Sequence, residues 1–148
     1  MGLFGGGGAF GGPGSGSNWR KFTITNADVV ALGAALTGDI TLFALGANEI
    51  LENLIANVTA PGAGTTTLTM AIGKTAAAYT DVIPASDVKT AAVVLGQSAA
   101  TRAAATLLGD THAVAAATYK AHFISTVENL SEVTGFACTI YYKVSVLP

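Results

Sequence analysis

With 148 residues, 51% of them hydrophobic and only 11% charged, the chain is long enough for one cored domain and unusually poor in solvating charge. Seven Lys and Arg against nine Asp and Glu give a net charge of -2 without a basic cluster, which argues against a nucleic-acid partner, because phosphate binding needs concentrated positive charge. The single cysteine, Cys138, excludes an internal disulfide framework and a Cys-based zinc finger. No apolar run reaches the roughly 18 residues of a membrane span, and the first residues lack the basic and apolar regions of a secretory signal, so no membrane partner is expected. So little charge predicts that part of the surface is covered by other chains.

Nine of the eighteen glycines fall in the first sixteen residues, and the first charged side chain is Arg20. Residues 1–18 therefore read as an extended Gly-rich N-terminal arm, with too few side chains to offset the entropy of ordering its glycines when alone in water. Leu3, Phe4 and Phe10 interrupt the glycines, and Trp19 stands at the arm's root. Large apolar groups on a chain with free backbone torsions suit an element that lies along a partner and drops side chains into its pockets. Residues 19–148 are expected to form one domain.

From Arg20 onward, two-residue alternation dominates. Phe22 and Ile24 alternate with Thr23 and Thr25, and Leu68, Met70 and Ile72 alternate with Thr67, Thr69 and Ala71, which predicts two half-buried strands. Residues 40–45 and 49–59 are extended candidates on either side of the turn Gly46-Ala47-Asn48, although Ile50, Leu54 and Val58 also fit a helical stripe. Residues 85–108 are ambiguous: Ser86 fits a helix cap and the Ala-rich residues 98–108 favour helix, whereas Val93, Val94 and Leu95 favour strand. Strand and loop with one short helix is the expectation there. Ala117, Tyr119, Ala121 and Phe123 share one parity of a strand over about residues 114–125. In the last segment Phe136, Cys138, Ile140, Tyr142, Val144 and Val146 line one continuous apolar face. Tyr141 and Lys143 project from the opposite face and are candidates for subunit contacts. Turn signals at Pro61-Gly62-Ala63-Gly64, Gly73, Pro84, Gly109-Asp110 and Thr134-Gly135 have the spacing of an all-β, antiparallel β-sandwich.

Catalysis needs convergent titratable groups, and the sequence offers few. His112 and His122 have no acidic or cysteine partner at a ligand spacing, and on one straight strand they would stand about 33 Å apart at roughly 3.3 Å per residue. Glu49 with Glu52, and Glu128 with Glu132, read as solvated charges rather than catalytic pairs. Gly6, Gly8 and Gly11 match the spacing of a dinucleotide fingerprint, but no strand precedes them and no helix follows. The nucleophile elbow Gly-x-Ser-x-Gly is missing. The expectation is a protein without catalytic residues, cofactor or metal.

The C-terminal third carries a resemblance. Asp110-Thr111-His112, Tyr119-Lys120-Ala121-His122-Phe123, Glu128-Asn129-Leu130, Thr134-Gly135 and Tyr141-Tyr142-Lys143-Val144-Ser145-Val146-Leu147-Pro148 resemble small β-sandwich virion proteins of tailed bacteriophages. Phe22-Thr23-Ile24-Thr25-Asn26-Ala27-Asp28 and Ile40-Thr41-Leu42-Phe43-Ala44-Leu45 are similar too. The resemblance implies a jelly-roll-like domain on the outer capsid surface of a virion, of the capsid decoration or cement type. Its implied partners are the major capsid protein and itself, as a homotrimer. Leu3, Phe4, Phe10 and Trp19 would then anchor the arm on the capsid, and Tyr141 and Lys143 would meet neighbouring subunits. A tail, neck or head-fibre component and a host-surface carbohydrate-binding adhesin are the alternatives.

Overall fold

The computed structural model describes residues 19–96 and 116–146. Among them run the strands β1 (Trp19–Thr25), β2 (Thr37–Leu45), β3 (Glu49–Ala60), β4 (Thr69–Gly73), β5 (Ile83–Asp87), β6 (Val93–Gly96), β7 (Ala117–Ile124) and β8 (Ala137–Val146). They form two antiparallel sheets of order β1-β8-β3-β6 and β2-β7-β4-β5. Within these, β1 pairs with β8, β2 with β7, β3 with β6 and β4 with β5, as in one long hairpin wound over itself. The all-β expectation holds. Leu3, Phe4, Phe10, His112 and the Ala-rich residues 98–108 lie outside the described residues.

The inner faces meet through the alternation seen in the sequence. Cys138, Ile140, Tyr142 and Val144 of β8 and Tyr119, Ala121 and Phe123 of β7 are all buried. Phe43 of β2 stacks on Tyr142 of the opposite sheet, with centroids 3.8 Å apart and planes 5° from parallel, and on Tyr119 at 5.0 Å. Further along, Phe123 meets Phe136 edge to face at 5.4 Å. Such geometries are favoured by the ring quadrupole and contribute beyond the apolar area they bury.

Two local expectations are corrected and a third is borne out. The strand around Met70 is not half-buried: Ala71 and Gly73, on its other parity, are buried as well, because the loop after β4 folds back and lays Tyr79 over that face. Ser86 caps no helix. It lies in β5, where its hydroxyl donates to the Pro84 carbonyl at 2.8 Å, and Pro84 itself is a strand residue on a sheet edge, where a missing N–H costs no ladder bond. Residues 49–59 resolve as strand, since β3 is buried between β8 and β6 and its backbone groups must enter both ladders.

A five-residue helix, α1 (Asn26–Val30), interrupts the strands. Thr25 and Asp28 form its capping box: the Thr25 N–H and hydroxyl each donate to the Asp28 carboxylate at 2.7 Å, and the Asp28 N–H returns a bond to Thr25 Oγ1. Three other carboxylates hold loops or strands in the same manner. Glu128 accepts from the Thr66 hydroxyl and N–H, Asp87 from the Thr90 hydroxyl and the Lys89 N–H, and Glu52 from Lys143 and Ser145. The bonds hold all four carboxyls below their ordinary range: for Asp28 chiefly the Thr25 N–H, for Glu52 Lys143, for Asp87 the Thr90 hydroxyl and for Glu128 the Thr66 hydroxyl. A carboxyl whose folded pKa lies below its unfolded value stabilises the fold fully above that value, near pH 4, and loses this contribution as pH falls through the folded pKa. The thermal midpoint by circular dichroism should therefore be flat between pH 7 and 5 and fall below about pH 4. A midpoint that rises on acidification would contradict this.

Candidate docking surface

The ladder register arranges the outward side chains of the first sheet in three rows. Trp19, Lys143 and Asn53 form one row; Lys21, Tyr141, Ile55 and Gly96 the next; Thr23, Thr139, Asn57 and Val94 the third. Trp19 and Tyr141 are thus diagonal neighbours, about 7 to 8 Å apart at the backbone and within reach of each other's rings. Both are 40% exposed, and Val94 is 66% exposed. Gly96 has open space where a Cβ would stand, so no described residue covers that end of the Ile55 row.

The charge on this face is largely cancelled. Lys143 Nζ lies 2.7 Å from Glu52 Oε2, and the Ser145 hydroxyl also donates to Glu52. Glu52 sits where the β3 register shifts between Leu51 and Asn53, which brings its carboxylate to the Lys143 side. Arg20 reaches Glu49 at 3.6 Å, whereas Lys21 makes no ion pair among the described residues. The result is a surface of two rings, aliphatic groups, hydroxyls and amides, with Lys21 its one cation lacking an ion pair among the described residues.

The second sheet presents a different outer face. His122 Nδ1 lies 2.6 Å from Asp39 Oδ1, its cross-strand partner, and Lys120 Nζ lies 3.9 Å from Asp39 Oδ2. Tyr79 covers this group, its ring 5.9 Å from the His122 ring and 5.5 Å from Lys120 Nζ. The chemistry available is positional: a carboxylate fixes an imidazole and a lysine under the loop that also seals Ala71. Among the described residues no set of three His, Cys, Asp or Glu side chains converges to hold a metal ion. The four glutamates weighed in the sequence have separate partners, Glu49 accepting from the Gly46 N–H and Glu132 from the Asn129 N–H. Burial pushes the Cys138 thiol up to about 12, which makes it a poor nucleophile at neutral pH.

Of the residues singled out in the sequence, Trp19, Tyr141 and Lys143 come together on one face. Trp19 opens β1 and is held in the sheet opposite Lys143. Ile55, Asn53, Asn57 and Val94 belong to the same face and were missed, because strand and helix readings of residues 49–59 left the parity of β3 open. The Asp39 partner of His122 is 83 residues away in sequence. Its only signal is the strand pairing itself.

Among the described residues no helix is long and apolar enough to cross a membrane. Comparison with models of protein families, with curated proteins and with solved structures finds no match. The described residues form an all-β, two-sheet protein with one low-charge outer face that carries Trp19 and Tyr141.

Proposed function

We propose that this chain is a structural attachment protein of a phage virion, of the capsid decoration type, which binds the assembled major capsid protein through the outer face of the first sheet and the N-terminal arm. The observation that carries this reading is the gathering of Trp19, Ile55, Tyr141 and Val94 on a single face whose central Lys143 and Glu52 charges cancel. Residue 18 joins β1 directly, so the arm leaves from the corner where Trp19 stands. A jelly roll is supported by the pairing of β1 with β8, β2 with β7, β3 with β6 and β4 with β5, the pattern of two Greek keys found in viral capsid and lectin domains. The resemblance of the C-terminal third supplies the phage setting, the outer capsid surface and the homotrimer.

In this reading the protein acts by area and multivalency rather than by chemistry. A ligand that binds only the assembled shell stabilises that shell by mass action, and three linked contacts release far more slowly than one. Virions stripped of the protein should keep their shape but release DNA at a lower temperature, and adding the protein back should restore the original release temperature. Equal release temperatures for stripped and complete particles would refute the cement function.

One observation favours a second reading, a host-surface glycan adhesin: two neighbouring exposed rings flanked by Asn53, Asn57 and Lys143 offer stacking planes and hydrogen-bonding groups for a sugar. Saturable binding to a glycan array, with no binding to stripped particles, would decide for it.

A further inference from the structure

Among the described residues the β2 and β5 edges are interrupted in ways that discourage a further strand, whereas the β1 edge is regular and carries only the charges of Arg20 and Lys21. The β2 edge bulges between Thr41 and Phe43. The β5 edge contains Pro84 and a register shift against β4, and β6 spans four of the described residues. By contrast β1 runs seven residues in unbroken register with β8, contains no proline and has no strand on its other side among the described residues. Its free side presents a regular row of backbone donors and acceptors, the template that extended peptides use to add a strand.

We infer that the β1 edge is a strand-addition site for an extended peptide segment of another protein, alternating apolar residues with an acidic residue set opposite Lys21. The side chains of β1 define this partner. Phe22 and Ile24 point toward the core, and Phe22 remains half-buried at the rim, so a small β-branched side chain beside it would cover the rest of the ring. On the outward parity Lys21 has no carboxylate partner among the described residues, while the nearest cation, Arg20, is already engaged by Glu49. β1 contributes two cations and no anion. Self-pairing of β1 in a second copy is disfavoured by the same charges: an antiparallel pair centred on Phe22 sets the two Lys21 side chains diagonal to one another, whereas a foreign acidic strand relieves the repulsion.

Strand addition at β1 is independent of capsid attachment, since it uses the backbone edge of the sheet rather than its outer face. The test uses the full chain and two labelled, end-blocked heptapeptides, Thr-Val-Thr-Val-Glu-Val-Thr and its counterpart with Lys in place of Glu, followed by fluorescence anisotropy and by amide hydrogen exchange. The acidic peptide should bind at least about tenfold more tightly than the basic one, and Lys21→Glu should reverse that order, a swing expected for an opposed charge pair on neighbouring strands. On binding, alternate amides of β1 should gain protection while the β6 edge is unchanged. The inference is overturned if neither peptide binds at millimolar concentration, if Lys21→Glu leaves the preference unchanged, or if all β1 amides are already protected in the free protein. Should the peptide protect β3 and β8 without β1, it lies on the sheet face, and edge addition is equally ruled out.

Discussion

Replacing Phe123 with Ala should remove a large share of the protein's stability. Phe123 is fully buried, lies edge to face on Phe136, and belongs to β7, the strand that joins β2 to β4 in the second sheet. Its cross-strand neighbours are Gly38 and Met70, and the Leu32 side chain packs over Gly38. Truncating a buried Phe costs about 3 to 5 kcal/mol, set against a total stability of about 5 to 15 kcal/mol for a domain of ordinary size. The variant should melt far below the parent. Tyr141→Ala, one position from buried Ile140 and Tyr142 but on the outward parity, should cost less than about 1 kcal/mol. Urea denaturation of the two variants measures the difference. A larger loss for Tyr141→Ala than for Phe123→Ala would reverse the assignment of inner and outer faces.

What made the fold legible was one-sided burial. In β8 the residues Cys138, Ile140, Tyr142 and Val144 are buried while Tyr141 is not, so the two-residue period is written in the sequence. The turn at 61–64 was legible for a different reason. Gly64 has φ +88, and a Cβ there would collide with the Glu132 carbonyl where Ala63 and Thr134 bridge, so glycine is required. Where burial is two-sided the signal fades: β4 is covered by the core and by the Tyr79 loop, and its alternation of Met70 and Ala71 reads as half-exposed when both are buried. Helix α1 was legible in principle through Thr25 and Asp28 three residues apart, but so short a segment has no hydrophobic period to support it.

The candidate site was legible only in its parts. Alternation alone puts Tyr141 and Lys143 on the outside of β8, and Trp19 is conspicuous beside a run of glycines. That the three share a face with Ile55, Asn57 and Val94 depends on which strands pair and in what register, and a one-residue slip would turn each strand's set to the other side. The pairing of Asp39 with His122 has the same origin.

The central claim is that the outer face of the first sheet is the docking surface. If Trp19 and Tyr141, each 40% exposed, become buried against the capsid, each covers roughly 80 Å² of apolar surface, which at about 25 cal/mol per Å² contributes about 2 kcal/mol per contact. The double variant Trp19→Ser with Tyr141→Ser should stay folded, because neither side chain enters the core, yet bind stripped virions about two to three orders of magnitude more weakly. A matched control places bulky charge on the outer face of the second sheet, Thr41→Lys with Thr118→Lys, both positions being exposed there. The direct measurement is competition of each labelled variant with the parent protein for stripped particles, read as the ratio of bound copies. The account predicts that the Trp19 and Tyr141 variant is displaced almost completely while the Thr41 and Thr118 variant holds its share. Equal occupancy by the Trp19 and Tyr141 variant and the parent would contradict it.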